Sequence, residues 1–296
     1  MTPQSLVSVI VLTYNREELL KETLRSILAQ THRNIEVLVI DNCSDYDIED
    51  SLEKMSDPRI SVHRNANGGL LAVNRNFGIS KASGDFIAFC DDDDLWHPEK
   101  LGQQLDAFSS RPQTLVMGTN YEQFPRRRKN GLFMFRDKDL NFLQLAKTQK
   151  GIPLSSSLTR SEVFDLIGGF DEDPAILTME DFDCWLRVLK HRDNSIHVLK
   201  APLLLYRVHE ENMYAKVNRQ QSPYEKLIKI FSKHREQLES SIIYFTNHLE
   251  YLDQLHAATV GYFSRSLSLK KLWSLKRLHW SDRMTLILKR NISDLF

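Results

Sequence analysis

Four consecutive aspartates, Asp91–Asp94, follow directly on the apolar run FIAFC at residues 86–90. Carboxylates of neighbouring residues lie roughly 6–7 Å apart on an extended chain, so each pair repels by about 2–3 kcal/mol at an effective dielectric of about 20. An exposed acidic loop before a helix needs no cation, but one aspartate is enough for that purpose. An enclosed cluster of carboxylates does need a cation to offset the repulsion. The run therefore predicts a Mg²⁺ or Mn²⁺ site that also binds a phosphate compound.

Two other apolar, strand-like runs also end in polar residues. The run LVSVIVL at residues 6–12 leads into TYNR at 13–16, and the strand predicted at 35–42 ends in DNCSD at 41–45. Ligands of open α/β sheets bind outside the carboxyl ends of the strands. We therefore expect these two clusters and the aspartate run at 91–94 to form one site.

The elements that must position this site alternate between short apolar runs and segments with helical periodicity. The helix at 16–30 carries one apolar stripe, and a strand–helix–strand unit with parallel strands is the simplest interpretation of residues 6–42. The pattern continues with a strand at 60–63, a glycine turn feeding a helix within 67–84, a strand at 86–90, a helix with Pro98 in its first position, a strand near 115–119, a helix at 180–190 and an apolar stretch at 201–209. This alternation predicts an α/β fold with a mixed, mainly parallel sheet between helices.

Composition narrows the class of protein. The 296 residues contain 39 Lys+Arg and 39 Asp+Glu, and the zero net charge argues against a nucleic-acid partner. Three widely spaced cysteines do not make a disulfide framework and fit a cytoplasmic location. The amino-terminal apolar run lacks a basic region, so we interpret it as a first strand, and no run approaches the ~20 apolar residues of a membrane span.

Two phosphate-binding motifs are absent from the sequence. It contains no GxxxxGK[ST] loop and no GxGxxG after a strand. A sugar-1-phosphate nucleotidyltransferase would share the layered plan but needs a glycine-rich loop after its first strand, where LTYNREE has no glycine. A non-catalytic carbohydrate- or nucleotide-binding protein is the alternative from another class.

Five segments, in order, carry a resemblance to a known family. VSVIVLTYNREELLKETLRSILAQTHRNIEVLVIDNCSD, NRNFGISKASGDFIAFCDDDDLWHPEKL, GGFDE, EDFDCWLRV and YRVHEEN closely resemble family-2 inverting glycosyltransferases of GT-A fold, the type that builds bacterial cell-surface polysaccharides. The resemblance covers roughly residues 5–212. It implies a GT-A catalytic domain at 1–212. The helical and increasingly basic pattern that follows predicts a helical carboxyl-terminal extension at 213–296.

The resemblance also implies site roles. Asp181 would be the catalytic base, and its neighbours Glu180 and Asp183 could raise its proton affinity. Among the metal contacts, Asp93 is the expected direct ligand and His209 would touch the metal or the diphosphate. The nucleotide-sugar contacts would be Thr13, Asn15, Asp41, Asn42, Arg75, Asp91 and Asp92.

The implied reaction transfers a sugar from a nucleoside-diphosphate sugar to a hydroxyl of a glycan or lipid-linked acceptor, with Mn²⁺ or Mg²⁺ as cofactor. UDP is the favoured nucleotide. Asn42 stands where many UDP-sugar members carry aspartate, which leaves dTDP open, although an amide carbonyl can still accept from the ring N–H of either base.

The segment at 264–290 mixes Leu, Trp and Ile with many Lys and Arg. Trp273 and Trp280 are seven residues apart and so lie on nearly one face of a helix. Such a helix could pack on the catalytic domain, form a homo-oligomer or make peripheral contact with the inner face of the membrane.

Overall fold

Ten strands in the described part of the chain form one mixed sheet. The computed structural model describes residues 5–125, 132–133, 137–148, 151–208 and 223–234. The strands are β1 (Val7–Thr13), β2 (Ile35–Asp41), β3 (Ile60–Arg64), β4 (Phe86–Asp91), β5 (Leu95–Trp96), β6 (Val116–Phe124), β7 (Leu132–Phe133), β8 (Lys138–Leu140), β9 (Leu158–Arg160) and β10 (Ile196–Arg207). The chain divides into two compact units, residues 1–215 and 216–296.

Helices connect the strands of the first unit. They are α1 (Glu17–Leu28), α2 (Ile48–Glu53), α3 (Leu71–Lys81), α4 (Lys100–Ser110), α5 (Phe142–Thr148), α6 (Glu162–Ile167) and α7 (Glu180–His191), with short 3-10 turns at Leu154–Ser156 and Pro174–Ile176. In α1, the side chains of Leu20, Leu24 and Ile27 are buried in the same core cluster as the residues of β1. The helical stripe predicted from the sequence is therefore the face that covers the sheet.

The strand order places three polar strand ends side by side. The order is β3-β2-β1-β4-β9-β6-β10-β5, with β7 on β6 and β8 on β10. The pairs β1/β2, β1/β4, β2/β3 and β6/β10 are parallel. In the register of these pairs Thr13 lies opposite Asp41, and Leu12 lies opposite Asp91. The carboxyl ends of β1, β2 and β4 therefore meet at one edge, as predicted.

The predicted fold class is confirmed. The sheet is mixed with flanking helices, and its antiparallel pairs, such as β4/β9 and β5/β10, are only two or three residues long. The predicted position of Pro98 is wrong, because α4 begins at Lys100 with Glu99 as its N-cap. A turn from the His97 carbonyl to the Lys100 N–H, 3.0 Å long, places Pro98 before the helix.

Gly84 fixes the start of β4 against β1. A Cβ atom there would lie 2.7 Å from the Ser8 backbone nitrogen and 2.8 Å from the Leu6 carbonyl oxygen. The Gly84 N–H instead donates to Ser8 Oγ at 2.8 Å, and Ser8 Oγ donates to Glu36 Oε1 at 2.5 Å. The absence of a side chain thus sets the close approach of the two strands that carry Thr13 and the aspartates.

The second unit contains α8 (Pro223–Lys233) in its described part. The rest of the predicted helical extension, including the basic segment at 264–290, lies outside the described residues, and its boundary at 212 stays a prediction. Among the helices that are described, none combines the length and the apolar character needed to cross a membrane.

Candidate active site

The four aspartates between β4 and β5 do not share one environment. Carboxylate oxygens of Asp91, Asp93 and Asp94 lie within 4.8 Å of one another. Asp92, in contrast, is bound on the protein side of the loop, where Thr13 Oγ1 donates to its Oδ2 at 2.8 Å. Three of the four carboxylates thus form one acidic cluster, and the fourth attaches the loop to β1.

Arg16 partly neutralises this loop. Its guanidinium donates to Asp92 Oδ1 at 2.8 Å and to Asp93 Oδ2 at 3.0 Å. Desolvation raises the pKa of Asp92, Arg16 and Thr13 lower it and Asp93 raises it, and together these effects bring it to about 6. One arginine therefore does not fully offset the charge of the buried loop.

Asp94 is the most deeply buried of the four, with 1% of its surface exposed. Its Oδ1 accepts the Arg207 backbone N–H at 3.0 Å, while its Oδ2 is buried and has no hydrogen-bond partner among the described residues. Burial raises the pKa of Asp94 well above its ordinary value, and Asp91 and Asp93 add to that effect. An unpartnered buried oxygen beside two more carboxylates fits a hard divalent cation. Asp91, Asp93 and Asp94 are the residues that would hold it.

Arg75 connects the acidic cluster to α7. Its NH1 donates to Glu180 Oε1 at 2.5 Å, and its NH2 lies 4.0 Å from Asp91 Oδ1. The side chain is buried, and its guanidinium lies 5.4 Å from the centre of the Phe170 ring. Desolvation raises the pKa of Asp91, which Asp93 and Glu180 raise further and Arg75 lowers. Arg75 is therefore an internal bridge between the acidic cluster and α7.

Phe170 is fixed beneath Arg75 by the turn that precedes it. Gly168 and Gly169 both have a φ of 74°, the left-handed region that glycine adopts without strain. Asn76 then bonds both backbone groups of Phe170, accepting its N–H at 2.7 Å and donating to its carbonyl at 2.9 Å. The GGF segment thus positions Arg75.

The first turn of α7 carries three carboxylates with different partners. Glu180 is paired with Arg75, and Asp183 accepts from Arg187 Nε at 2.7 Å. Asp181 has no ion pair among the described residues; its Oδ1 accepts the Phe182 N–H at 2.7 Å. Desolvation and the neighbouring Glu180 raise its pKa to about 6. A partly buried carboxyl that titrates near neutral pH is suited to general-base chemistry.

Asp41, at the end of β2, is fully buried and serves to shape the next loop. Its carboxylate accepts from the Ser44 hydroxyl at 2.6 Å, from the Ser44 N–H at 3.0 Å and from Arg64 Nε at 3.0 Å. Asn15, with a φ of 52°, exchanges two amide hydrogen bonds with Asp45. Both predicted nucleotide-contacting side chains therefore have hydrogen-bond partners within the protein.

Asn42 keeps one polar group available. Its N–H donates to the Thr13 carbonyl at 2.9 Å, and its Oδ1 accepts the Asn67 N–H at 2.9 Å. Within the described part of the chain its side-chain NH₂ has no partner. The amide carbonyl on which the sequence argument relied is thus already engaged, although it retains a second lone pair.

The structure brings most of the predicted residues to this edge of the sheet, while His209 lies outside the described residues. No individual role was predicted from the sequence for Arg16, Asp94 or Arg207. Arg207 Nε donates to the Asp93 carbonyl at 2.7 Å and its NH2 to Glu22 Oε2 at 2.6 Å. All three lie inside segments already noted, TYNR, the aspartate run and YRVH, so membership of those segments was the available signal.

A mixed α/β sheet with an acidic loop after β4 and a carboxylate-rich helix beside it defines the GT-A class of glycosyltransferases. The chain belongs to glycosyl transferase family 2, whose family model matches residues 8–166. These residues include β1, the acidic loop and the turn at Leu154–Ser156.

Curated proteins similar to this chain are named as glycosyltransferases. The Escherichia coli protein WfgD, named as a UDP-Glc:alpha-D-GlcNAc-diphosphoundecaprenol beta-1,3-glucosyltransferase, is 32% identical over 66% of this chain and 74% of its own. TuaG of Bacillus subtilis, a putative teichuronic acid biosynthesis glycosyltransferase, is 30% identical over 62% and 72%. An uncharacterised glycosyltransferase of Rickettsia conorii is 28% identical over 72% of this chain, which spans only 36% of that longer protein.

Solved structures share the fold. Staphylococcus aureus TarS 1–349 in complex with UDP has a TM-score of 0.59 and 22% identity, over 76% of this chain and 63% of its own. The mannosyltransferase PcManGT of Pyrobaculum calidifontis, in complex with GDP-Man and Mn²⁺, has a TM-score of 0.58 and 17% identity, over 100% and 82%. At these identities the likeness establishes the fold alone.

Proposed function

We propose that this chain is a metal-dependent, inverting glycosyltransferase that transfers a sugar from a nucleoside-diphosphate sugar to a hydroxyl of a glycan or lipid-linked acceptor. The observation that carries the proposal is Asp181. This carboxyl is not ion-paired among the described residues, its pKa is raised to about 6, and it is linked to the acidic cluster through Glu180 and Arg75. A candidate base joined through one ion-paired arginine to a candidate cation site supports the proposal.

The chemistry is a single displacement. The acceptor oxygen attacks the anomeric carbon while its proton passes to Asp181, and the bond from that carbon to the diphosphate oxygen breaks with inversion. A divalent cation, when bound by Asp91, Asp93 and Asp94, neutralises charge on the leaving diphosphate. Arg75 keeps Glu180 in an ion pair, so Asp181 is left as the proton acceptor of α7.

We infer UDP as the nucleotide, with dTDP as the second choice. TarS has been solved with UDP and with UDP-GlcNAc, and the name of WfgD specifies UDP-Glc, whereas PcManGT was solved with GDP-Man. The amide of Asn42, with its free NH₂ and remaining carbonyl lone pair, can bond the edge of either pyrimidine base.

The name of WfgD supports a lipid-linked acceptor, because it specifies GlcNAc attached to diphosphoundecaprenol. An enzyme acting on such an acceptor has to reach the inner face of the membrane from the cytoplasm. The basic segment at 264–290 is the proposed peripheral contact, with homo-oligomer formation as the alternative role.

A donor panel tests the proposal. We expect slow release of UDP from one or more UDP-sugars with Mn²⁺, none with EDTA, and weaker turnover of dTDP-sugars and GDP-sugars. Binding without turnover, even with a panel of glycan acceptors, would instead favour a non-catalytic relative. Formation of a nucleotide sugar from a nucleoside triphosphate and a sugar 1-phosphate would favour a nucleotidyltransferase.

The pH dependence of transfer should report the titration of Asp181. Because the base must be deprotonated and its pKa is about 6, kcat/KM should fall about tenfold per pH unit below that value. Arg75 lowers this pKa, so Arg75→Met should move the acid limb to higher pH, whereas Arg75→Lys, which keeps the charge, should move it less. An acid limb at the wild-type pH in both variants would contradict the assignment of Asp181 as the base.

A further inference from the structure

The serine turn, residues Ser155–Ser157, lies beside the acidic loop and is held by three side chains from elsewhere. Trp96 Nε1 donates to the first carbonyl of the turn at 2.9 Å, Gln104 Nε2 to the second at 2.9 Å, and Lys100 Nζ to the third at 3.3 Å. All three donor residues are buried, and Lys100 Nζ also lies 3.9 Å from the centre of the Trp96 ring. Each carbonyl of the turn thus has its own buried donor, which fixes the backbone in place.

The three hydroxyls of the serine turn differ in their direction. Those of Ser156 and Ser157 donate within the turn, to the carbonyls of Pro153 and Leu154, each at 2.7 Å. The Ser155 hydroxyl leaves the turn and accepts the Asp91 N–H at 3.1 Å. The same hydroxyl lies beside the Asp94 carboxyl and lowers the pKa of that carboxyl, without forming a hydrogen bond to its Oδ2.

Hydrogen bonds hold both Asp91 and Asp94 in place. The Asp94 N–H donates to the Asp91 carbonyl at 3.1 Å, and the Asp94 carboxylate is attached to Arg207 of β10. Ser155 supplies the remaining attachment, on the Asp91 amide. Ser155 as a whole is 1% exposed, so water cannot readily replace its hydroxyl.

We propose that Ser155 is a positioning residue for the cation site: its hydroxyl, fixed by the clamped serine turn, sets the separation of the Asp91 and Asp94 carboxylates. This inference rests on the metal dependence in the proposed function. Groups that orient the ligands of a metal typically account for about 10–100-fold in its affinity. Ser155 itself touches neither the sugar nor the diphosphate in this role.

Mn²⁺ binding to the full chain, followed by electron paramagnetic resonance without nucleotide, tests the inference. Ser155→Ala should weaken Mn²⁺ binding by about 10–100-fold. The matched control Ser156→Ala, one residue along the same turn, should stay within about twofold of the wild type because the Ser156 hydroxyl donates to the Pro153 carbonyl inside the turn. The Ser155→Ala variant should keep a near-normal kcat at saturating Mn²⁺, and its apparent KM for the ion should rise. UDP binding in EDTA should be unchanged in both variants.

Each outcome decides a separate point. No Mn²⁺ binding by the wild type would overturn the metal dependence, and the inference with it. Binding by the wild type and equally by Ser155→Ala would overturn the inference alone, as would an equal loss in Ser156→Ala. Ser155→Cys, nearly the same size but a weak acceptor, serves where the alanine variant does not fold, and an unweakened Mn²⁺ affinity there would also overturn it.

Discussion

Asp181→Asn should lower the rate of sugar transfer by about 10²–10⁴-fold, because the amide has nearly the same shape but cannot take up the acceptor's proton. Donor binding should persist, since the contact from the Phe182 N–H can be kept by the amide carbonyl. The measurement is kcat with a saturating donor, together with UDP affinity by calorimetry. A lost kcat with an intact Kd for UDP is the expected pattern.

The other acids of α7 provide matched controls for this variant. Glu180→Gln and Asp183→Asn are equally conservative, but they weaken ion pairs with Arg75 and Arg187. We expect both to lower Tm, and to lower kcat much less than Asp181→Asn does. Transfer at a near-normal rate by Asp181→Asn would move the base to Glu180 or Asp183, and the control that loses activity would identify which.

Asp93→Ala should abolish the metal-dependent part of nucleotide binding while leaving the chain folded. The Asp93 side chain is 13% exposed, and its carboxylate lies in the cluster with Asp91 and Asp94. Removing it takes away one of three ligands and leaves Arg16 paired with Asp92, which favours the cation-free loop. Calorimetric titration of UDP with Mn²⁺ and with EDTA measures the effect as a ratio of two affinities.

Asp92→Asn in the same loop is the control for Asp93→Ala. Asp92 is bound to Thr13 and Arg16 and lies outside the cluster. Its amide variant should change UDP affinity by a similar factor with and without Mn²⁺, so that the ratio is preserved. Unchanged UDP affinity with Mn²⁺ in Asp93→Ala would contradict the metal site.

The strands β1, β2 and β4, and the edge of the sheet on which the site lies, could be predicted from the sequence alone. Short β-branched runs such as residues 7–13 and 35–41 have to be covered on both faces, so their patterns predicted strands of a layered α/β fold. Because parallel strands end at the same edge, the polar residues after β1, β2 and β4 were expected to converge, and they do. A helix was likewise predicted at 180–190, and the observed helix begins at Glu180.

The task that each acidic side chain can perform depends on its neighbours in the folded chain. In the sequence Asp91–Asp94 are four identical side chains, and Glu180, Asp181 and Asp183 are three similar ones. Folding brings Thr13 and Arg16 to Asp92 and Arg207 to Asp94, from far away along the chain. The properties of a buried carboxyl are set by its desolvation and by the charges and donors within a few ångströms. Those neighbours are chosen by strand order and helix packing, which local spacing does not contain.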